Sequence, residues 1–105
     1  MKMLIAGREA GSGRALEVVN PWSGSVIDTV PAATPAEIGE ALDAAARGAR
    51  AMAAMTRFER AGVLERASAL IAERSEDLAR LLAAEVGKTL REARAEVARA
   101  ASTFA

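Results

Sequence analysis

Residues 19–37 read Val19-Asn20-Pro21-Trp22-Ser23-Gly24-Ser25-Val26-Ile27-Asp28-Thr29-Val30-Pro31-Ala32-Ala33-Thr34-Pro35-Ala36-Glu37. The stretch spells strand end, tight turn, strand, then the capped start of a helix. Leu16–Val19 and Ser25–Val30 are β-branched runs. Between them proline fixes φ for a turn, and Gly24 supplies a residue able to take positive φ. Two such runs around a short turn-rich segment predict a hairpin with a loop longer than two residues. Thr34-Pro35-Ala36-Glu37 is a capping box with proline at the first helical position, so the period changes from strand to helix at Thr34.

On the N-terminal side, Leu4-Ile5 is a short strand candidate. The glycine-rich run Gly7-Arg8-Glu9-Ala10-Gly11-Ser12-Gly13 reads as turn or loop. It lacks the G-x-G-x-x-G spacing of a dinucleotide-binding turn, so a plain turn outweighs a phosphate cradle there.

On the C-terminal side the pattern is helical throughout. Ile38, Ala41, Leu42, Ala45, Ala49 and Met52 recur at helical spacing. Thr56-Arg57-Phe58-Glu59 is a second capping box, followed by Ala61, Leu64, Ala67, Ser68 and Ile71. Ser75 is the expected N-cap of a third helix, with Glu76 and Asp77 favourable at its N-terminal dipole. That helix carries Leu78, Leu81, Leu82 and Glu85 and stops at Gly87. Thr89-Leu90-Arg91-Glu92 opens a fourth, with Leu90, Ala93, Val97, Ala100, Ala101 and Phe104 on its stripe. The boxes start at 34, 56 and 89. Their unequal spacing excludes a solenoid repeat. The predicted division is β strands and hairpin over residues 1–33 and a helical segment over 34–105. The last stripe runs to Phe104 one residue before the chain ends, which predicts that the helix belongs to a longer protein.

Composition limits what this chain does by itself. Of 105 residues, 27 are alanine, and Leu, Ile, Val and Phe together make only 22. Burial is worth roughly 0.8 kcal/mol per CH₂, so alanine contributes little and the core is expected to be thin. Fourteen basic and fourteen acidic residues give a net charge of zero, which argues against nucleic acid or an anionic membrane as partner. The locally basic Leu90–Arg94 is offset by Glu92 and Glu96. The chain has no cysteine and no histidine. That excludes a thiolate nucleophile, a disulfide frame and a Cys-ligated metal site within it. The run Met3–Ala6 is too short for a leader or a membrane span, and the default assignment is cytoplasmic.

Several motifs in this order resemble the N-terminal segment of the NAD(P)-dependent aldehyde dehydrogenase superfamily. The resemblance covers residues 15–105 and, more weakly, Leu4–Gly7. Asn20-Pro21 with Gly24 and Val26 is similar to the family's opening Asn-Pro-x-x-Gly hairpin. Val30-Pro31-Ala32-Ala33-Thr34 with Ile38 and Ala44–Ala46 resembles the entry to its first helix. Arg60 with Leu64, Ala67 and Ile71 matches its second helix. Glu85-Val86-Gly87-Lys88 matches its Glu-x-Gly-Lys signature, followed at the family's spacing by Glu92-Ala93 and Glu96-Val97. The chain departs from the family where Met52 stands at a frequent tryptophan and Thr89 at a frequent proline.

The resemblance implies an α+β fragment: a β-hairpin and about four α-helices, part of a larger α/β, Rossmann-like fold and of its cofactor-binding domain. It implies an enzyme that oxidises an aldehyde to a carboxylic acid with NAD or NADP. Trp22 and the missing tryptophan are similar to the branch acting on small polar aldehydes such as lactaldehyde, glyceraldehyde phosphate or phosphonoacetaldehyde. Family chemistry needs a cysteine thiolate, an oxyanion site and a water-activating glutamate. None of these is supplied by this chain, which also brings no cofactor-binding residue. The implied partners are the remainder of the enzyme and further copies of it, as a homodimer or homotetramer.

Asn20 is a turn residue rather than an oxyanion donor, and Lys88 suits the dipole at a helix end. Glu85 falls on an apolar stripe, where a carboxylate needs a partner. By resemblance, Glu85 and the carbonyls of Val18 and Val19 bind Na⁺ or K⁺. An ion pair or a solvated helix end is the simpler reading of Glu85. Two other readings fit the same residues. One is a non-catalytic helical interaction module, the other a truncated, inactive gene product.

Overall fold

The computed structural model describes residues 2–11 and 13–105. Ser12, one of the turn residues named above, lies outside the described residues. The chain divides into two compact units. One comprises Met1–Val19 and Val26–Met55, the other Asn20–Ser25 and Thr56–Ala105.

The first unit holds two antiparallel hairpins and one helix. Strand β1 (Met3–Ile5) pairs with β2 (Arg8–Ala10), with Met3 opposite Ala10 and Ile5 opposite Arg8. Arg8–Ala10 is thus a strand where the glycine-rich run predicted only turn. The two residues joining the strands, Ala6 and Gly7, have φ of 52° and 75°. Positive φ at both positions is the signature of the tightest hairpin turn, usually announced by Asn-Gly or Asp-Gly. Alanine in the first position hides that signal.

Strand β3 (Ala15–Val19) pairs antiparallel with β4 (Val26–Pro31). The register runs from Ala15 opposite Pro31 to Val18 opposite Asp28, then shifts so that Val19 faces Val26. The shift is bulge-like, and a bulge leaves backbone groups outside the regular ladder. Helix α1 (Pro35–Ala54) follows. The Glu37 N–H donates to Thr34 Oγ1 at 3.3 Å, and the Thr34 N–H donates to Glu37 Oε2 at 2.8 Å, so both halves of the capping box form. Helix α1 packs on β1, and Arg8 Nη2 pairs with Glu40 Oε1 at 2.6 Å. Among the described residues of this unit, Ile5 is the buried one. The apolar stripe of α1 is not covered: Ile38 is 52% exposed and Leu42 66%.

The second unit is a three-helix layer with the 20–25 loop. Helices α2 (Arg57–Glu73) and α4 (Leu90–Phe104) start at the predicted Thr56 and Thr89 capping boxes. Helix α3 (Ser75–Val86) starts differently. Ser75 is already its first helical residue and makes no cap. Arg74 is at once the C-cap of α2 and the N-cap of α3, with φ −101° and ψ 17°. Its N–H donates to the Leu70 carbonyl, while its own carbonyl accepts from the Leu78 N–H. A one-residue junction has no room for the extended residue that a serine cap requires.

Helix α4 packs against both α2 and α3. Ala79 and Ala93 are fully buried and Val97 nearly so, with Ile71, Leu82, Ala83 and Leu90 packed around them. Alanine at the contact lets the helices approach closely, but it removes little surface from water. The core is therefore small, as the composition predicts. Ser68 Oγ donates to the Ala101 carbonyl at 2.9 Å and ties α2 to α4.

Candidate functional site

Asn20 builds its own loop. Its Oδ1 accepts from the backbone N–H of Trp22 at 2.9 Å and of Ser23 at 3.0 Å. Its carbonyl accepts from the Gly24 N–H and its N–H donates to the Ser25 carbonyl, both at 2.9 Å. An Asx turn of this kind is a short polar side chain replacing backbone partners. Gly24 takes φ 70°, as the turn reading requires. Trp22 stands out of the loop, 93% exposed.

Helix α3 ends at Gly87 with φ 74° and ψ 17°, a left-handed C-cap whose N–H donates to the Ala83 carbonyl at 3.0 Å. The Pro21 ring lies against this residue: a Cβ built on Gly87 would sit 2.7 Å from Pro21 Cγ. Gly87 therefore answers two demands at once, positive φ and close approach. The Asn-Pro-x-x-Gly turn and the Glu-x-Gly-Lys signature, separate motifs along the chain, meet here.

Lys88 Nζ is 2.7 Å from Glu96 Oε1, in a half-buried pair that Arg99 approaches at 3.7 Å. Lys88 is thus held by an ion pair with α4, a partner the helix-end reading did not name. Glu76 at the start of α3 is held by Arg94 of α4. Arg94 Nε and Nη2 reach its two carboxylate oxygens, each at 2.9 Å, and Arg80 adds a third contact at 2.8 Å. The fork of a guanidinium matches a carboxylate in this bidentate way. The Arg94 hydrogen bonds, reinforced by the charges of Arg94 and Arg80, hold the Glu76 carboxyl below the ordinary glutamate value against a weaker opposing effect of burial. Arg94 of the locally basic stretch is thus spent on internal pairing, while Arg91 stays exposed. Glu76 and Arg94 are 18 residues apart, beyond the one-turn spacing from which sequence periodicity pairs charges.

Glu85 is the penultimate residue of α3. It lines an open apolar groove of about 330 Å³ together with Ile71, Leu78, Leu81, Leu82, Val97 and Ala100. It sits on the apolar stripe, as its spacing predicts, yet it is exposed and has no hydrogen-bond or ion-pair partner among the described residues. Water solvates it, so the burial that would demand a partner is absent. Its carboxylate stands at a solvated helix end, as the simpler reading of Glu85 expects. Val18, half-buried, and Val19, exposed, lie in the first unit beside the register shift of β3. Among the described residues no three carboxylate, histidine or cysteine side chains gather to hold a metal ion. No helix among them is long and apolar enough to cross a membrane.

Residues 8–105 match the aldehyde dehydrogenase family. The glutarate-semialdehyde dehydrogenase of Pseudomonas putida is 44% identical over 94 residues, which is 90% of this chain and 20% of that protein. The NADP(+) succinate-semialdehyde dehydrogenase of Escherichia coli is 42% identical over 94 residues, with the same coverage. The crystal structure of aldehyde dehydrogenase 21 from Physcomitrella patens, in complex with the reaction product succinate, superposes with a TM-score of 0.93 at 39% identity. It covers 98% of this chain and 22% of that one. Two antiparallel hairpins followed by four helices are thus the architecture of one portion of that fold. The chain spans about one fifth of the length of the curated relatives it matches. Matched by the family over residues 8–105 and by individual members at more than 40% identity, the chain belongs to the aldehyde dehydrogenase family.

Proposed function

We propose that this chain is the N-terminal, architectural part of the cofactor-binding domain of an NAD(P)⁺-dependent aldehyde dehydrogenase. The β elements before Thr34 and the helices after it work there as one segment. The whole enzyme oxidises a small polar aldehyde that already bears a carboxylate, giving the corresponding diacid. The observation carrying this reading is the 44% identity to a glutarate-semialdehyde dehydrogenase over 90% of the chain. The semialdehyde named for the second relative and the succinate product in the matched structure support the same substrate class. They favour a carboxylate-bearing aldehyde over lactaldehyde, glyceraldehyde phosphate or phosphonoacetaldehyde.

The chain's part in the reaction is indirect. With no cysteine anywhere in it, the nucleophile comes from the remainder of the enzyme. Its partners are that remainder and, through it, further copies in a homodimer or homotetramer. Glu85 supplies a free carboxylate to a bound Na⁺ or K⁺ ion.

The substrate class is tested by assaying the longer enzyme with NAD⁺ and with NADP⁺ on glutarate and succinate semialdehydes beside lactaldehyde, glyceraldehyde phosphate and phosphonoacetaldehyde. The expected result is the highest kcat/KM on the two semialdehydes. A clear preference for one of the other three would overturn the assignment.

A further inference from the structure

No further inference is drawn: the strongest candidate, the open apolar groove of the second unit lined by Ile71, Leu78, Leu81, Leu82 and Val97 with Glu85 among its lining residues, carries none because nothing in the structure shows what covers it.

Discussion

Pro21 and Gly87 are in van der Waals contact across 66 positions of chain, and the contact is possible only because residue 87 lacks a side chain: a Cβ there would lie 2.7 Å from Pro21 Cγ. The same residue holds φ at 74°. Gly87→Ala therefore meets two penalties. The left-handed backbone costs an L-residue about 1 to 2 kcal/mol. Forcing a methyl against a proline ring adds about 1 to 3 kcal/mol. A loss of about 2 kcal/mol or more is expected in denaturant titration. Combining Gly87→Ala with Pro21→Ala should recover the steric part and leave the backbone part. Strict additivity of the two variants would show that the contact carries no energy.

The three threonine capping boxes predict a coupled response to mutation and acid. Thr34→Ala, Thr56→Ala and Thr89→Ala should each lower stability by about 1 kcal/mol. In two of the boxes the glutamate carries a shifted pKa. The Thr56 backbone N–H and hydroxyl hold the Glu59 carboxyl below its ordinary value of 4.5. The Thr89 hydroxyl and backbone N–H do the same for Glu92. A carboxyl whose folded pKa lies below its unfolded one binds more protons in the unfolded chain as pH falls. Its contribution is full above 4.5 and drains away as pH drops through that value and then through the lower folded one. Circular dichroism should therefore show α2 and α4 losing helix on acidification, and a Glu59→Gln, Glu92→Gln double variant, which removes the titrating carboxyls while leaving the threonine backbone N–H groups in place, should respond less steeply. A double variant with the parent's acid response would refute the coupling.

Ion dependence tests Glu85. An ion present at ten times its dissociation constant stabilises the state that binds it by about 1.4 kcal/mol. The Tm of the longer enzyme should rise when choline chloride is replaced by NaCl or KCl at equal ionic strength. Glu85→Gln, which keeps the shape and removes the charge, should abolish the rise. Identical melting of the unmutated enzyme in all three salts would remove the ion from the picture.

Much of this architecture was legible because it is written in local chemistry. The Asn20–Gly24 turn, the capping boxes and the Gly87 stop each depend on residues within a few positions, and all appear as expected. Two local errors have local causes. The β1–β2 turn places Ala6 where Asn or Gly normally announces positive φ. Ser75 has the right chemistry for a cap, but α2 runs into α3 through Arg74 alone. What sequence periodicity could not supply was distance. The Glu76–Arg94 fork and the Pro21–Gly87 contact join residues far apart in the chain, and only the packing of helices and loop brings them together. Glu85 shows the converse: a correct place on the stripe did not reveal that the stripe is open to water at that point.

A chimera tests most directly whether this chain is an architectural segment of an aldehyde dehydrogenase. This chain would replace the 44% identical stretch of the Pseudomonas putida glutarate-semialdehyde dehydrogenase, and NAD(P)H formation on glutarate semialdehyde would be followed beside the 105-residue chain alone. The expected result is a chimera within about tenfold of the parent's kcat/KM, equivalent to about 1.4 kcal/mol of transition-state stabilisation, and no turnover by the isolated chain. A soluble chimera with the parent's helix content but no dehydrogenase activity, or turnover by the isolated, cysteine-free chain, would contradict it.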